Sequence, residues 1–195
     1  GTPTSVQVDA TNGKIVVTSA IVAPEGGGGG APSPTPVSSG QVAVIDATTK
    51  KLDVVRSVAV APRLVVSDPS GKGTLFVSTK ETTLVDKTYQ PLRTLPGGIG
   101  AAFGIGGRIA VLGASGGEAI LHLIGDGAPA PLRLAGTPQA VTPMPGGGFA
   151  VLLGSGSGNG RIVVVDESGR SVASTDVDIV ARDFAYDEAA GRFTV

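Results

Sequence analysis

The chain has 195 residues, 15 basic and 16 acidic side chains for a net charge of −1, one histidine and no cysteine; 41% of it is hydrophobic and 4% aromatic. This balance excludes the electrostatic footprint of a nucleic-acid binder, the missing cysteine excludes disulfides and thiolate chemistry, and one histidine cannot build a multi-histidine metal site. With 31 Gly and 14 Pro the expected fold is one of many tight turns around a single core.

The elements are predicted as short strands in a repeating order. In the first unit "SVQVDATNG" (5–13) leads through a glycine turn into "GKIVVTS" (13–19), and "QVAVID" (41–46) and "LDVVRSV" (52–58) follow. Between them lies "APEGGGGGAPSPTPVSSG" (23–40), whose Gly run and Pro-rich tail are expected to form a flexible surface loop rather than a domain boundary. The second unit repeats the order with "RLVVSDPSG", "GTLFVST", "ETTLVD" and "PLRTL". The third offers "GAAFGIGG", "GRIAVLG", "EAILHL" and "APLRLAG", and the fourth "QAVTPMPGG", "GGFAVLLG", "RIVVVD" and "SVASTDV". "DFAYDEAAG" and "GRFTV" begin a fifth.

Leu75, Ile109, Phe149 and Phe193 mark the second strand of successive units, at separations of 34, 40 and 44 residues. A period near forty with two-residue alternation inside each segment means stacked four-stranded units, and no segment has a capped helical period. The expected units are 1–60, 61–98, 99–137, 138–178 and a partial 179–195. Asp9 to Gly13, Asp68 to Gly71 and Asp187 to Gly191 read as turns, since an aspartate accepts backbone N–H bonds and glycine supplies positive φ.

The stretch "SDPSGKGTLFVSTKETTLVDKTYQPLRTL" (67–95) resembles the bacterial β-propeller repeat of the YVTN or NHL-like kind. There, a D-P-x-G turn precedes an "LYV" strand, a "VxVID" strand and a short return strand. The resemblance runs through nearly the whole chain and implies an all-β, partial β-propeller with four-stranded antiparallel blades. Unit three departs from it with Gly104 to Gly107 in place of the aspartate turn.

Six groups of residues invite a chemical reading. Gly98, Gly100 and Gly104 imitate a dinucleotide loop, but the strand "RIAVLG" follows where that loop needs a helix N-terminus, so they are expected to serve close packing and a sharp turn. His122 is expected on a strand face. Asp46, Asp86, Asp126 and Asp166 could be imagined as a cation ring, yet their recurrence before turn residues points to side-chain-to-backbone bonds. The acidic groupings at 166–178 and 182–188 lack the spacing of a calcium loop. Ser155 and Ser157 in "GSGSGNG" join two strands, which is not the strand-to-helix elbow of a serine nucleophile. Arg56, Arg93 and Arg133 recur in the strand-like piece that follows the turn after the aspartate, either covering neighbours with their stems or lining a groove.

No catalytic, cofactor-binding or metal-binding residue is therefore assigned, and no cofactor is expected. The expected function is a non-enzymatic binding or scaffold module that engages a protein or polymer partner, not nucleic acid. Its site is expected on the end carrying the loops 20–40, 79–81, 113–118 and 154–160 and the unit links 58–62, 96–100 and 135–139. Two alternatives stand beside it: part of a propeller enzyme (lyase, hydrolase or quinone-dependent dehydrogenase) whose catalytic residues lie outside this chain, and a structural subunit that assembles through open strand edges. No apolar run reaches the roughly eighteen residues of a membrane span. The non-Met start and the resemblance lead to an expectation of a secreted or cell-envelope protein, with a further segment or another chain completing the propeller.

Overall fold

A computed structural model describes residues 2–21, 39–154, 158–178 and 184–195. The loop expected at 23–40 lies outside these up to residue 38, while Ser39 and Gly40 already belong to a strand. Ser155 and Ser157 also lie outside the described residues.

Four antiparallel sheets follow one another along the chain, each a meander of four strands in sequence order. The first is β1 (Thr2–Asp9), β2 (Lys14–Ile21), β3 (Ser39–Asp46) and β4 (Leu52–Val58); the second is β5 (Leu64–Ser67), β6 (Gly73–Val77), β7 (Glu81–Asp86) and β8 (Pro91–Pro96). The third is β9 (Gly100–Phe103), β10 (Ile109–Ser115), β11 (Glu118–Ile124) and β12 (Leu132–Leu134). The fourth is β13 (Thr137–Pro143), β14 (Phe149–Gly154), β15 (Gly160–Val165) and β16 (Ser171–Val177). A hairpin of β17 (Ala185–Asp187) and β18 (Arg192–Thr194) comes last. The only helical turn among the described residues is a 3₁₀ turn at Ile105–Gly107.

The first strands touch in series, β1 to β5, β5 to β9, β9 to β13 and β13 to β17, so they line an inner edge from which the sheets fan outward. This is an arc of a β-propeller. The outermost strands, β4, β8 and β16, have few buried side chains, whereas β6, β9 and most of β10 and β14 are buried. Burial on both faces explains why the inner segments read as unbroken apolar runs rather than alternating ones.

Side chains on each sheet alternate between a forward face, toward the next sheet, and a rear face, toward the preceding one. Four seams result. Val16, Val42 and Val44 of the first sheet meet Val65, Phe76 and Val85 of the second. Leu75, Val77 and Leu95 meet Ala101, Phe103 and Val111 of the third. Leu112, Ala119 and Leu121 meet Phe149, Val151 and Val163 of the fourth. Ala150, Leu152 and Ile162 meet Phe184 and Phe193 of the last hairpin. Each fully buried Leu contributes about 1.5–3 kcal/mol, so these seams hold the arc together.

Candidate functional site

The described loops lie at the two ends of the arc. The turn end bears the links from first to second and from third to fourth strands; the connector end bears the links from second to third strands and from sheet to sheet.

At the turn end the aspartate turns form as expected. Asp9 accepts from the Asn12 N–H at 3.1 Å, Asp68 from the Ser70 N–H at 2.8 Å and Asp187 from the Ala190 N–H at 3.0 Å. Gly13, Gly71 and Gly191 hold φ between 62° and 72° at these corners. In the third sheet the 3₁₀ turn replaces the aspartate, with the Gly104 N–H donating to the Arg108 carbonyl at 2.8 Å.

Four of these turns converge on a cavity of about 570 Å³ at the inner edge, lined among others by Asp68, Lys72, Phe103, Ile105, Met144 and Glu188. Ile105 is 57% exposed, a large aliphatic side chain held out at a turn. The Asp68 carboxylate is engaged with Ser70, whereas Lys72 and Glu188 have no ion pair among the described residues. The mouth is thus apolar and proline-rich with a few charges at its margin. Such a surface suits an extended segment with one or two apolar side chains.

The third-to-fourth strand turns settle the aspartate series. Asp86 accepts from the N–H and hydroxyl of Thr88 at 2.8 and 2.7 Å and from the Gln90 N–H at 2.9 Å. Asp166 does the same with Ser168 and Arg170, and Asp46 with Thr48 and Thr49 while pairing with Lys14 at 2.8 Å. These bonds outweigh desolvation and hold all three carboxyls below the usual range, Asp166 at about 2. Asp126 does not join them. Opposite Arg108, where the other sheets place the turn aspartate, the third sheet has Gly125 at φ 151°. Among the described residues no group of three or more His, Cys, Asp or Glu is placed to hold a metal.

The glycine series is split between the two ends. Gly98 and Gly100 sit at the connector end and Gly104 at the turn end, with β9 between them. A Cβ on Gly98 would lie 2.7 Å from Val111 Cγ1, and one on Gly104 would lie 2.7 Å from Phe149 Cζ. Close packing is the work of Gly98 and Gly104, and what begins at the last glycine is the three-residue 3₁₀ turn, not the α-helix that a dinucleotide loop requires.

The connector end holds smaller clefts. One of about 150 Å³ brings His122 beside Thr79, Gly97, Gly98 and Ile120. Burial lowers the His122 pKa, disfavouring the charged imidazolium. Another of about 350 Å³ is lined by Gly136, Arg161, Asp176 and Asp178, with Arg161 paired to Asp176 at 2.7 Å. The three outer-strand arginines belong to separate sheets: Arg56 is half-buried near Asp86, Arg93 is exposed, and Arg133 pairs with Glu118 of its own sheet at 3.2 Å.

The mouth itself was missed in the sequence, although an isoleucine and a methionine set among Gly and Pro at turn positions are a usable signal. So was a buried cluster at the first seam. Asp9 is 1% exposed, and its Oδ2 accepts from the Tyr89 hydroxyl at 3.0 Å and from Asn12 Nδ2 at 2.9 Å. The Tyr89 ring stacks on Phe76 with centroids 6.3 Å apart. Tyr89 adopts φ 61°, a conformation costly for any residue with a side chain.

No family model matches this chain, and no curated protein matches it in sequence. Among solved structures it is similar to hydrazine synthase of Kuenenia stuttgartiensis, with a TM-score of 0.68 and 18% identity over 94% of this chain and 52% of that one. It is also similar to the Pan2 WD40 domain of Neurospora crassa, with a TM-score of 0.57 and 10% identity over 90% of this chain and 50% of that one. A protein of unknown function from Bacteroides caccae aligns with a TM-score of 0.56 and 12% identity, covering 78% and 60%. The chain thus spans 50 to 60% of the length of these structures. At such identities the likeness concerns the fold, a β-propeller.

Proposed function

We propose that this β-propeller chain is a non-enzymatic binding module that captures an extended, partly apolar segment of another protein in the mouth at the turn end. One observation carries the reading: turns from four successive units, 68–72, 103–107, 143–145 and 188, meet around a single cavity of about 570 Å³ with Ile105 and Met144 at its lining. Ligand sites favour concave, largely apolar places with few polar groups, and this mouth is larger than the connector-end clefts described above. The sequence favours the connector end instead, whose clefts are smaller and more polar. The YVTN or NHL-like character of residues 67–95 agrees with a binding role and adds no chemistry of its own.

Panning a random peptide library on the protein tests this. Peptides with apolar anchors are expected, with binding at least tenfold weaker for Ile105→Glu and Met144→Glu and unchanged for Arg133→Glu at the outer strand of the third sheet. Peptides lost with Arg161→Glu or His122→Ala but kept with the mouth variants would move the site to the connector end.

A further inference from the structure

The four turns that meet at the mouth stand in a fixed order. Each lies at the link from the first strand of its sheet to the second, and the first strands touch in the series β5, β9, β13 and β17. The turns therefore follow one another around the inner edge as 68–72, 103–107, 143–145 and 188. Charge is confined to the two ends of that series, with Asp68 and Lys72 on the first turn and Glu188 on the last. The two turns between them line the mouth with apolar side chains and glycine alone.

Of the three charges, two are open. Asp68 accepts from the Ser70 N–H on one oxygen at 2.8 Å and from the Ser70 hydroxyl on the other at 2.7 Å. Lys72 and Glu188 are exposed, and among the described residues neither has an ion pair, with Asp68 or with each other. Sheets packed face to face lie about 10 Å apart, less where they converge, so three intervals separate the two end turns by at most about 30 Å, the reach of about nine extended residues. A segment with charges of one sign gains at one end of the mouth and is repelled at the other. A segment with one charge of each sign gains at both ends, in one orientation only.

We propose, resting on the reading of the mouth as a peptide site, that it selects a segment with an acidic side chain at one end and a basic one at the other. The acidic group meets the Lys72 ammonium, the basic group meets the Glu188 carboxylate, and the apolar anchors between them sit against Ile105 and Met144. The anchors supply the affinity. The two charges fix the direction in which the segment lies and reject segments of a single sign. Exposed ion pairs are worth little singly, so the selection shows as a preference among peptides that share their anchors.

The test takes the apolar anchors of a peptide returned by panning and places them in four synthetic peptides. One has Glu before and Arg after the anchors, eight residues apart; the second has the two exchanged; the third has two Glu and the fourth two Arg. One of the mixed peptides is expected to bind at least about fivefold tighter than the other three at low salt. The protein carrying both Lys72→Glu and Glu188→Lys is expected to prefer the opposite mixed peptide. Both side chains are exposed, so the double variant keeps its fold, and its binding of the opposite peptide shows that directly. Equal binding of the two mixed peptides, tighter binding of a single-sign peptide, or a preference that the double variant does not invert overturns the proposal. If Ile105→Glu still weakens all four peptides in that case, the mouth reading stands without it. Peptides indifferent to Ile105→Glu, or no peptide returned at all, overturn the mouth reading and this proposal together.

Discussion

The hydroxyl of Tyr89 donates a 3.0 Å hydrogen bond to Oδ2 of Asp9, joining residues eighty apart across the seam between the first two sheets. Burial raises the tyrosine pKa, and the neighbouring carboxylate raises it further; Asp9 is held below the usual carboxylate range because its bonds to Asn12 and Tyr89 outweigh its own desolvation. The pair is a charge-assisted bond in a dry place. Tyr89→Phe keeps the stack on Phe76 and removes only that bond, and is expected to lower stability by about 1.5–3 kcal/mol. Tyr89→Leu, which loses the stack as well, is expected to cost more. Urea unfolding of both variants checks the order.

Packing by glycine makes a sharp prediction in the third sheet. Gly104→Ala puts a methyl 2.7 Å from the Phe149 ring, which is 1% exposed and has no room to retreat. A loss of about 1–3 kcal/mol is expected. Gly100→Ala meets Val141 at 3.6 Å, an ordinary contact, and is expected to stay within about 0.5 kcal/mol of the parent. Thermal melts of the two variants separate a packing role from a phosphate-cradling one, for which Gly100 would be the sensitive position.

Acid stability follows from the turn carboxylates. Asp46, Asp86 and Asp166 all have folded-state pKa values below the ordinary 3.8. A depressed carboxyl stabilises the fold fully above its unfolded pKa, and that contribution disappears as pH falls through the folded one. For Asp166 the window runs from just above pH 4 down to about 2. The unfolding midpoint is expected to be level from pH 7 to 5 and to drop below pH 4, and Asp166→Asn is expected to flatten that drop. A pH series of chemical denaturation reads both.

The contact between the third and fourth sheets at the surface is weaker than it looks. Arg108 donates to the Glu167 carbonyl at 2.7 Å and approaches the Glu167 carboxylate at 3.5 Å, but both side chains are well exposed. Arg108→Ala is expected to cost at most about 1 kcal/mol, less than Leu112→Ala in the same seam at about 2–5 kcal/mol. A melting comparison in 0.05 and 0.5 M salt is expected to shrink the Arg108 effect and leave the Leu112 effect intact.

Strands and corners were readable because their determinants are local. "ETTLVD" followed by "KTYQ" contains the strand, the capping aspartate and the hydroxyl that bonds to it within ten residues. The third unit shows the limit of that logic: Asp126 has the right spacing to within a residue, yet Gly125 holds the turn position and the carboxylate is left out. Tyr89 and Asp9 were opaque for another reason. A tyrosine at positive φ is locally unfavourable, and only a partner from another sheet makes it worthwhile. The mouth depends on four turns some forty residues apart, so no window of sequence contains it.

Because each sheet touches little beyond its immediate neighbours, the arc behaves as a row of coupled links rather than one indivisible body. In residues 1–195 taken alone, loss of order is then expected to begin at the first sheet and the last hairpin and travel inward, leaving the junction around Leu112 and Phe149 as the last to give way. The Asp9 and Tyr89 clasp slows one of those two fronts.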